Sequence, residues 1–236
     1  MNIPKKENKF LVFTSAGKNS NIAMWSNIER RYDLYVVDYC SGESNTRELS
    51  DFYLERKGGK FQNLHFCYHK NKELFKKYEA IMVMDDDILI TPRDINKLFN
   101  ILCEKEFSII QPAFNVRGKI SHKITVAKAF SKWRKTNFIE VTCPIFRTPE
   151  LISFLEIFDP VANGGGVDWW FCHHVEQKNS DHKIAIIDSV SCTNPHDIAK
   201  AGIREIDTFR SREERNEDWK TVRENNRLTF NENIFL

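Results

Sequence analysis

The chain has 236 residues, 41% of them hydrophobic, which is enough for a sizeable core and too apolar for an intrinsically disordered protein. Its 35 Lys and Arg against 33 Asp and Glu leave a net charge of +2, which argues against a protein built mainly to coat nucleic acid. No run approaches the roughly 20 apolar residues of a membrane span.

"MNIPKKENKF" has no apolar segment behind its lysines, so no secretory leader is expected. Cys40, Cys67, Cys103, Cys143, Cys172 and Cys192 are scattered without a CxxC pair, which points to reduced thiols and a cytoplasmic chain.

In chain order, "FLVFTSAG" (10–17) predicts a buried strand running into a turn of small residues. "NSNIAMWSNIERR" (19–31) sets Ile22, Trp25 and Ile28 at helical spacing, with Asn19 or Ser20 as cap. "YDLYVVDY" (32–39) predicts a second strand, closed by "CSGES". A helical stretch over 48–56 and the turn "KGGK" lead to a third strand, "FQNLHFCY" (61–68). "NKELFKKY" predicts a short helix and "AIMVM" (80–84) a fourth strand. "PRDINKLFNILCEK" (92–105) reads as an amphipathic helix opened by Pro92. This alternation favours an α/β fold with a mainly parallel sheet, where ligands bind at the carboxyl ends of strands.

The second half is less regular. "FSIIQPA" (107–113), "FIEVTCPIFR" (138–147) and "KIAIIDSVSC" (183–192) predict strands, and "PELISFLEIF" (149–158) a helix. Residues 115–137 carry seven Lys or Arg and no acid. The tail is dense in both charges, as in a solvent-facing helix or a frayed extension.

The acids Asp85, Asp86 and Asp87 end an apolar strand. In an extended chain Asp85 and Asp87 face one side and Asp86 the other. Neighbouring carboxylates repel and resist joint desolvation, and a hard divalent cation such as Mg²⁺ or Mn²⁺ removes that penalty. An exposed acidic turn is the competing reading, but the apolar strand before and the helix after weigh towards function. An EF-hand is excluded, because Ile90 stands where Gly is needed and Asn96 where Glu is needed.

"TSAGKNSN" offers Ser15, Gly17 and Lys18 to a nucleotide but lacks P-loop spacing. "GGGVDWWF" frees the backbone at Gly164–Gly166 and hands Asp168 to a helix start, with Trp169 and Trp170 as an aromatic face. Its alternative is a capping Asp168 with core tryptophans. His173 and His174 read as packing or surface residues. His196, after a late strand in a Pro-containing loop, suits a metal-binding imidazole, although a lone histidine is usually structural.

Taken together, "VFTSAGKNSN", "YDLYVVDY", "KGGKFQNL", "YEAIMVMDDDI", "IIQPA", "FIEVTCPIF" and "GGGVDWWF…KIAIIDSVSCTNPH" resemble GT-A-type glycosyltransferases. More specifically, they resemble an uncharacterised glycosyltransferase-like domain family of plants and bacteria, over residues 9–200. The resemblance implies a single GT-A-like α/β domain with a mixed, mainly parallel sheet. Its nucleotide-sugar half would span 1–105, its acceptor and catalytic half 106–204, and a charged extension 205–236.

It further implies sugar transfer from a nucleotide-sugar, a UDP-sugar among the candidates, to a glycan or lipid-linked acceptor, with Mn²⁺ or Mg²⁺ on the diphosphate. Asp87 would bind the metal, and Asp85 the metal, the ribose or both, with Asp86 beside them. Ser15, Gly17, Lys18, Asp38 and Lys60 fall where base, ribose and phosphate contacts would lie. His196 would touch metal or diphosphate, and Asp168 would be the acceptor-side acid, the base if the reaction inverts. Trp169, Trp133 and Arg134 would face the acceptor.

The basic segment 115–137, with Phe130 and Trp133 interleaved, suits an anionic acceptor or the inner membrane surface, against the plainer reading of a solvated loop. Two rivals stand beside this reading. One is a metal-dependent phosphohydrolase or nucleotidyltransferase, though a dehalogenase-like phosphatase carries its acids after the first strand rather than the fourth. The other is a non-catalytic nucleotide-sugar or glycan-binding module.

Overall fold

The computed structural model describes residues 8–40, 45–162, 165–178, 181–196, 211–228 and 231–235. The apolar run "LVF" is buried on both faces because β1 (Phe10–Ala16) is an interior strand, parallel to β2 (Asp33–Asp38) on one side and to β4 (Ala80–Val83) on the other. β3 (Phe52–Glu55) extends the parallel set beyond β2. β4 is followed by the antiparallel β7 (Ile145–Arg147), then β5 (Ile109–Phe114) and β8 (Ile184–Cys192), which are parallel to each other. β6 (Arg134–Thr136) and β9 (Ile234–Phe235) close that edge, giving a nine-stranded mixed sheet in the order β3-β2-β1-β4-β7-β5-β8-β6-β9.

The chain steps outward from β1 to β3 and then crosses back to lay β4 on the other side of β1. That reversal puts a topological switch point between β1 and β4, where a crevice opens outside the strands' carboxyl ends.

Helices cover both faces. α3 (Lys60–Lys70), α4 (Lys72–Lys76), α6 (Thr148–Leu155) and α7 (Val167–Lys178) enclose a core of Phe13, Leu64, Phe146, Phe154 and Phe171. α1 (Ile22–Trp25) and α5 (Pro92–Glu104) enclose the other, with Val12, Trp25, Met82, Leu98 and Phe99. Each fully buried Phe or Leu contributes about 1.5–3 kcal/mol of transfer free energy. Thr91 caps α5 by accepting from the Asp94 N–H, and Pro92 opens it, so this helix starts soon after the acid triplet.

Several expectations are corrected. "FQNLHFCY" is helical because Phe61, Leu64, Cys67 and Tyr68 recur three and four apart and share one buried face; its aromatic content suggested a strand, but its period is that of a helix. The predicted helix over 48–56 is instead a short α2 (Thr46–Leu49) followed by β3. α1 stops at Trp25, and Ile28 is fully exposed. Of "FIEVTCPIFR" only 145–147 is strand, because the backbone of 140–142 bonds to side chains and to the acid loop instead of a ladder.

The tail is more than a frayed extension. α8 (Arg212–Asn226) buries Arg215 and Val222, Leu228 is buried just beyond it, and β9 joins the sheet through β6. Residues 197–210 of the predicted second half and tail lie outside the described residues.

Candidate active site

The loop after β1 and the loop after β4 are tied to each other across the switch point. The Gly17 N–H donates to Asp86 Oδ2 at 2.7 Å, the Asn21 N–H to the Asp86 carbonyl at 2.6 Å, and Asn21 Nδ2 to the Asp87 carbonyl at 2.6 Å. A Cβ at Gly17 would lie 2.8 Å from the Tyr39 hydroxyl, so a side chain there would have to displace the Tyr39 ring. The acid triplet begins just past β4 and runs into a turn, so strand alternation does not aim its side chains. Asp86 nevertheless diverges from Asp85, as expected. Burial pushes the Asp86 carboxyl up to about 7 against the Gly17 N–H, and the charges of Asp87 and Asp85 add to the rise.

Asp85 faces the opposite wall. Its Oδ1 is 2.7 Å from Lys60 Nζ, and its N–H donates to the Thr142 carbonyl at 2.8 Å. Lys60, in the first turn of α3, also donates to the carbonyls of Val141 (2.6 Å), Thr142 (3.2 Å) and Val83 (3.3 Å). The Val141 N–H points the other way, to Asp168 Oδ2 at 3.4 Å. The strap Glu140–Thr142 therefore touches the acid loop and Lys60 on one side and Asp168 on the other.

Asp168 lies in the first turn of α7 and is buried; its Oδ1 accepts from the Trp169 N–H at 3.0 Å. Burial raises its pKa, opposed by the Trp169 N–H and by the charge of His122. Trp169 packs on Phe138 with ring centroids 4.2 Å apart, and Trp170 belongs to the core. Gly166 is at φ 87°, a conformation that favours glycine, and a Cβ there would fall 2.1 Å from the Trp219 indole of α8. Gly164 lies outside the described residues.

Two residues that sequence reasoning missed join this group. Glu140 is buried, accepts from Thr125 Oγ1 at 2.6 Å, and donates its N–H to Gln111 Oε1 at 2.5 Å. Burial lifts its carboxyl to about 7, with Thr125 and the charge of His122 opposing and the Asp168 charge adding. His122 pairs with Glu232 at 2.5 Å and lies against Phe138 and Trp169. The available signal for Glu140 was a single acid inside the apolar run "FIEVTC".

The remaining candidates divide. Asp38, buried at the end of β2, accepts from the Cys40 N–H and Thr46 Oγ1, each at 2.7 Å, and from the Tyr53 hydroxyl at 3.3 Å. Ser15 is buried and accepts from Asn63 at 2.9 Å, whereas Lys18 is exposed. His196 is exposed, three residues past a two-way pairing of Leu89 with Thr193 that holds the end of β8 beside the acid loop.

Arg134 is corrected from acceptor contact to core ion pair: its guanidinium grips buried Asp188 through two nitrogens and donates to the carbonyls of Ile124 and Val126. Trp133 packs edge-on against Phe107 in the core around α5, beneath Lys105.

Among the described residues no three His, Cys, Asp or Glu side chains converge as a metal site, so His196 is not gathered with Asp85 and Asp87. Two carboxylates make an oxygen-only donor set. That set fits Mg²⁺ or Mn²⁺, which commonly take one or two protein carboxylates and fill the rest from phosphates and water.

No family model and no curated protein sequence matches the chain. Solved structures do. TarS 1–349 of S. aureus aligns with TM-score 0.57 and 15% identity over 79% of this chain and 60% of that one. The same protein in complex with UDP-GlcNAc gives 0.56 and 15% over 80% and 58%. GalNAc-T7 with UDP, GalNAc and Mn²⁺ gives 0.57 and 12% over 81% and 44%. The chain thus spans about 60% of TarS 1–349 and under half of GalNAc-T7. At these identities the likeness concerns fold, and the fold of this chain is that of the GT-A glycosyltransferases.

Proposed function

We propose that the chain is a nucleotide-sugar-dependent glycosyltransferase. Its donor lies across the carboxyl ends of β1, β2 and β4, and its acceptor hydroxyl meets Asp168. The observation that carries this reading is the Glu140–Thr142 strap, which couples the acid loop and Lys60 to Asp168. The fold supports it, and the UDP-GlcNAc and UDP found with TarS and GalNAc-T7 make a UDP-sugar the first donor to try. In this reading residues 1–105 are the donor half and 106–204 the acceptor half, with the extension after 204 adding Trp219 against Gly166 and Glu232 against His122.

Ser15, Gly17, Lys18 and Asp38 would line the nucleoside. As the bond to the anomeric carbon breaks, its electron pair leaves with the nucleoside diphosphate. The Lys60 ammonium is fixed where that charge accumulates, so it needs no reorganisation during reaction. The acceptor oxygen attacks the anomeric carbon and Asp168 takes its proton; a carboxyl raised by burial is a stronger base for that task.

Asp85 and Asp87 would hold Mg²⁺ or Mn²⁺, which when bound supplies Lewis-acid stabilisation of the diphosphate. The Lys60–Asp85 ion pair favours a second mode, in which Lys60 neutralises the diphosphate without a metal. The acceptor is a glycan or a lipid-linked saccharide. A cytoplasmic setting, at the inner face of the membrane, fits the six free cysteines; among the described residues no helix is long and apolar enough to cross a membrane.

Calorimetry of UDP and UDP-sugars with Mn²⁺ or chelator, in wild type and Asp87→Ala, tests both modes. Binding that requires Mn²⁺ and vanishes in Asp87→Ala supports the metal mode. Equal binding in chelator supports the Lys60 mode. No binding of any nucleotide or nucleotide-sugar would remove the transferase reading.

A further inference from the structure

The basic segment carries a feature that the crevice does not use. Phe130 is fully exposed and sits at φ 62°, a left-handed conformation that a bulky side chain adopts rarely. The stem beneath it is pinned: the Lys128 N–H donates to Asp188 Oδ1 at 3.0 Å, and the Ser189 N–H donates to the Lys132 carbonyl at 3.1 Å. The fold therefore holds an aromatic ring in solvent on a strained tip rather than leaving it on a loose loop.

A second loop leaves alongside. Val126 bridges Phe114 in parallel and the Ala127 N–H donates to the Phe114 carbonyl, so the two loops start side by side at the carboxyl end of β5. The first of these loops carries Val116, 71% exposed, and exposed Arg117. The Asn115 N–H and the Lys119 N–H bond to the carbonyls of Cys192 and Asn194, on either side of the Thr193 that pairs with Leu89 beside the acid loop. The Val116 loop thus projects from the end of the sheet that holds the crevice, and the Phe130 loop leaves the neighbouring edge over Asp188 and Ser189 of β8. Lys128 and Lys132 flank Phe130 in the open, and residues 115–137 contain no acid to oppose them.

We propose that Phe130 and Val116, with Arg117, Lys128 and Lys132, dock the protein on an anionic bilayer. The ring enters the acyl boundary and the cations meet lipid phosphates. One apolar anchor alone holds a membrane weakly, and a basic patch alone is lost to salt; the pairing supplies the two signals that stable peripheral docking needs. Docking that engages the Val116 loop brings the crevice end of the sheet near the bilayer. That deepens the glycosyltransferase reading, on which this consequence rests, by favouring a lipid-linked acceptor, whereas docking itself stands apart from it.

The experiment is flotation of the full chain with phosphatidylcholine vesicles and with mixed phosphatidylcholine–phosphatidylglycerol vesicles across salt concentrations. Wild type should float with the mixed vesicles at low salt and not with the neutral ones. Phe130→Ser should lower partitioning about ten-fold or more, the range expected for losing one buried aromatic. The triple variant Arg117→Gln/Lys128→Gln/Lys132→Gln should lose binding most at low salt. Phe130→Trp should be quenched by brominated acyl chains beyond the background of the native tryptophans.

Both loss variants should keep the wild-type thermal midpoint and UDP affinity, because the altered side chains are exposed. Vesicle binding without nucleotide binding would overturn the transferase and leave docking intact. Absent flotation at low salt, or Phe130→Ser floating like wild type, overturns the bilayer. So does charge-dependent binding to soluble polyphosphate with no added quenching of Phe130→Trp, which would make the surface a polyanion site.

Discussion

Lys60→Met tests the connection on which the site depends, because it keeps the aliphatic stem and removes the ammonium. Lys60 Nζ has four acceptors within 3.3 Å, the Asp85 carboxylate and the carbonyls of Val141, Thr142 and Val83, and only three protons to share. The losses are unequal. Thr142 keeps the Asp85 N–H as a donor, whereas Val141 gives up the short 2.6 Å bond and its half-buried carbonyl. Leaving such a carbonyl unpaired costs about 1–3 kcal/mol.

The Asp85 side chain is 41% exposed, so solvent screens its ion pair and that loss is discounted to about 0–1 kcal/mol. The two losses together come to about 1–4 kcal/mol, which for a chain of this size lowers the thermal midpoint by about 2–16 °C. Urea denaturation and differential scanning fluorimetry should agree on the size. UDP binding in chelator should fall in parallel, since the fixed positive charge at the diphosphate is gone. A variant with the wild-type midpoint and wild-type UDP affinity would mean that Lys60 neither seats the strap nor meets the donor.

Asp168→Asn keeps the shape of the carboxyl and removes its charge, so donor binding should persist while single-turnover transfer falls by about 10²–10⁴-fold, the range for losing a general base. Should configuration be retained, the loss should appear chiefly in acceptor KM. Glu140 is raised in the folded protein from its usual 4.5 to about 7, so between those values the folded state binds more protons than the unfolded one and stability falls as pH rises. Glu140→Gln should flatten that fall between pH 4.5 and 7 and stabilise the protein above it, read from denaturation midpoints across pH. Gly166→Ala meets the Trp219 ring at a positive φ and should cost about 1–3 kcal/mol. Gly166→Ala/Trp219→Ala should recover less than the whole loss, because the backbone strain remains.

Local pattern was sufficient for the first half of the sheet. Short apolar runs at 10–13 and 80–83 bounded by turn residues suit strands buried on both faces, and Pro92 with amphipathic spacing suits a helix start, so β1, β4 and α5 were legible from residues alone. The acids at the end of such a strand marked the crevice for the same reason: charge follows burial there within one residue. Where composition and period disagreed, as in Phe61–Tyr68, the period decided, since a helix buries every third or fourth residue whatever its β-propensity.

The second half was settled by contacts far apart in the chain. Arg134 became a core residue because Asp188, 54 residues later and two residues past its β8 partner Ile186, lies within reach of its guanidinium. Glu140 became a site residue because Thr125, Gln111 and Asp168 surround it from three other segments. Gly166 is confined by an indole from a helix 53 residues on, and the strap over 140–142 lost its strand pairing to Lys60 and Asp85. No window of sequence contains these pairs, because each is a burial cost met by a partner that only the folded sheet brings within reach.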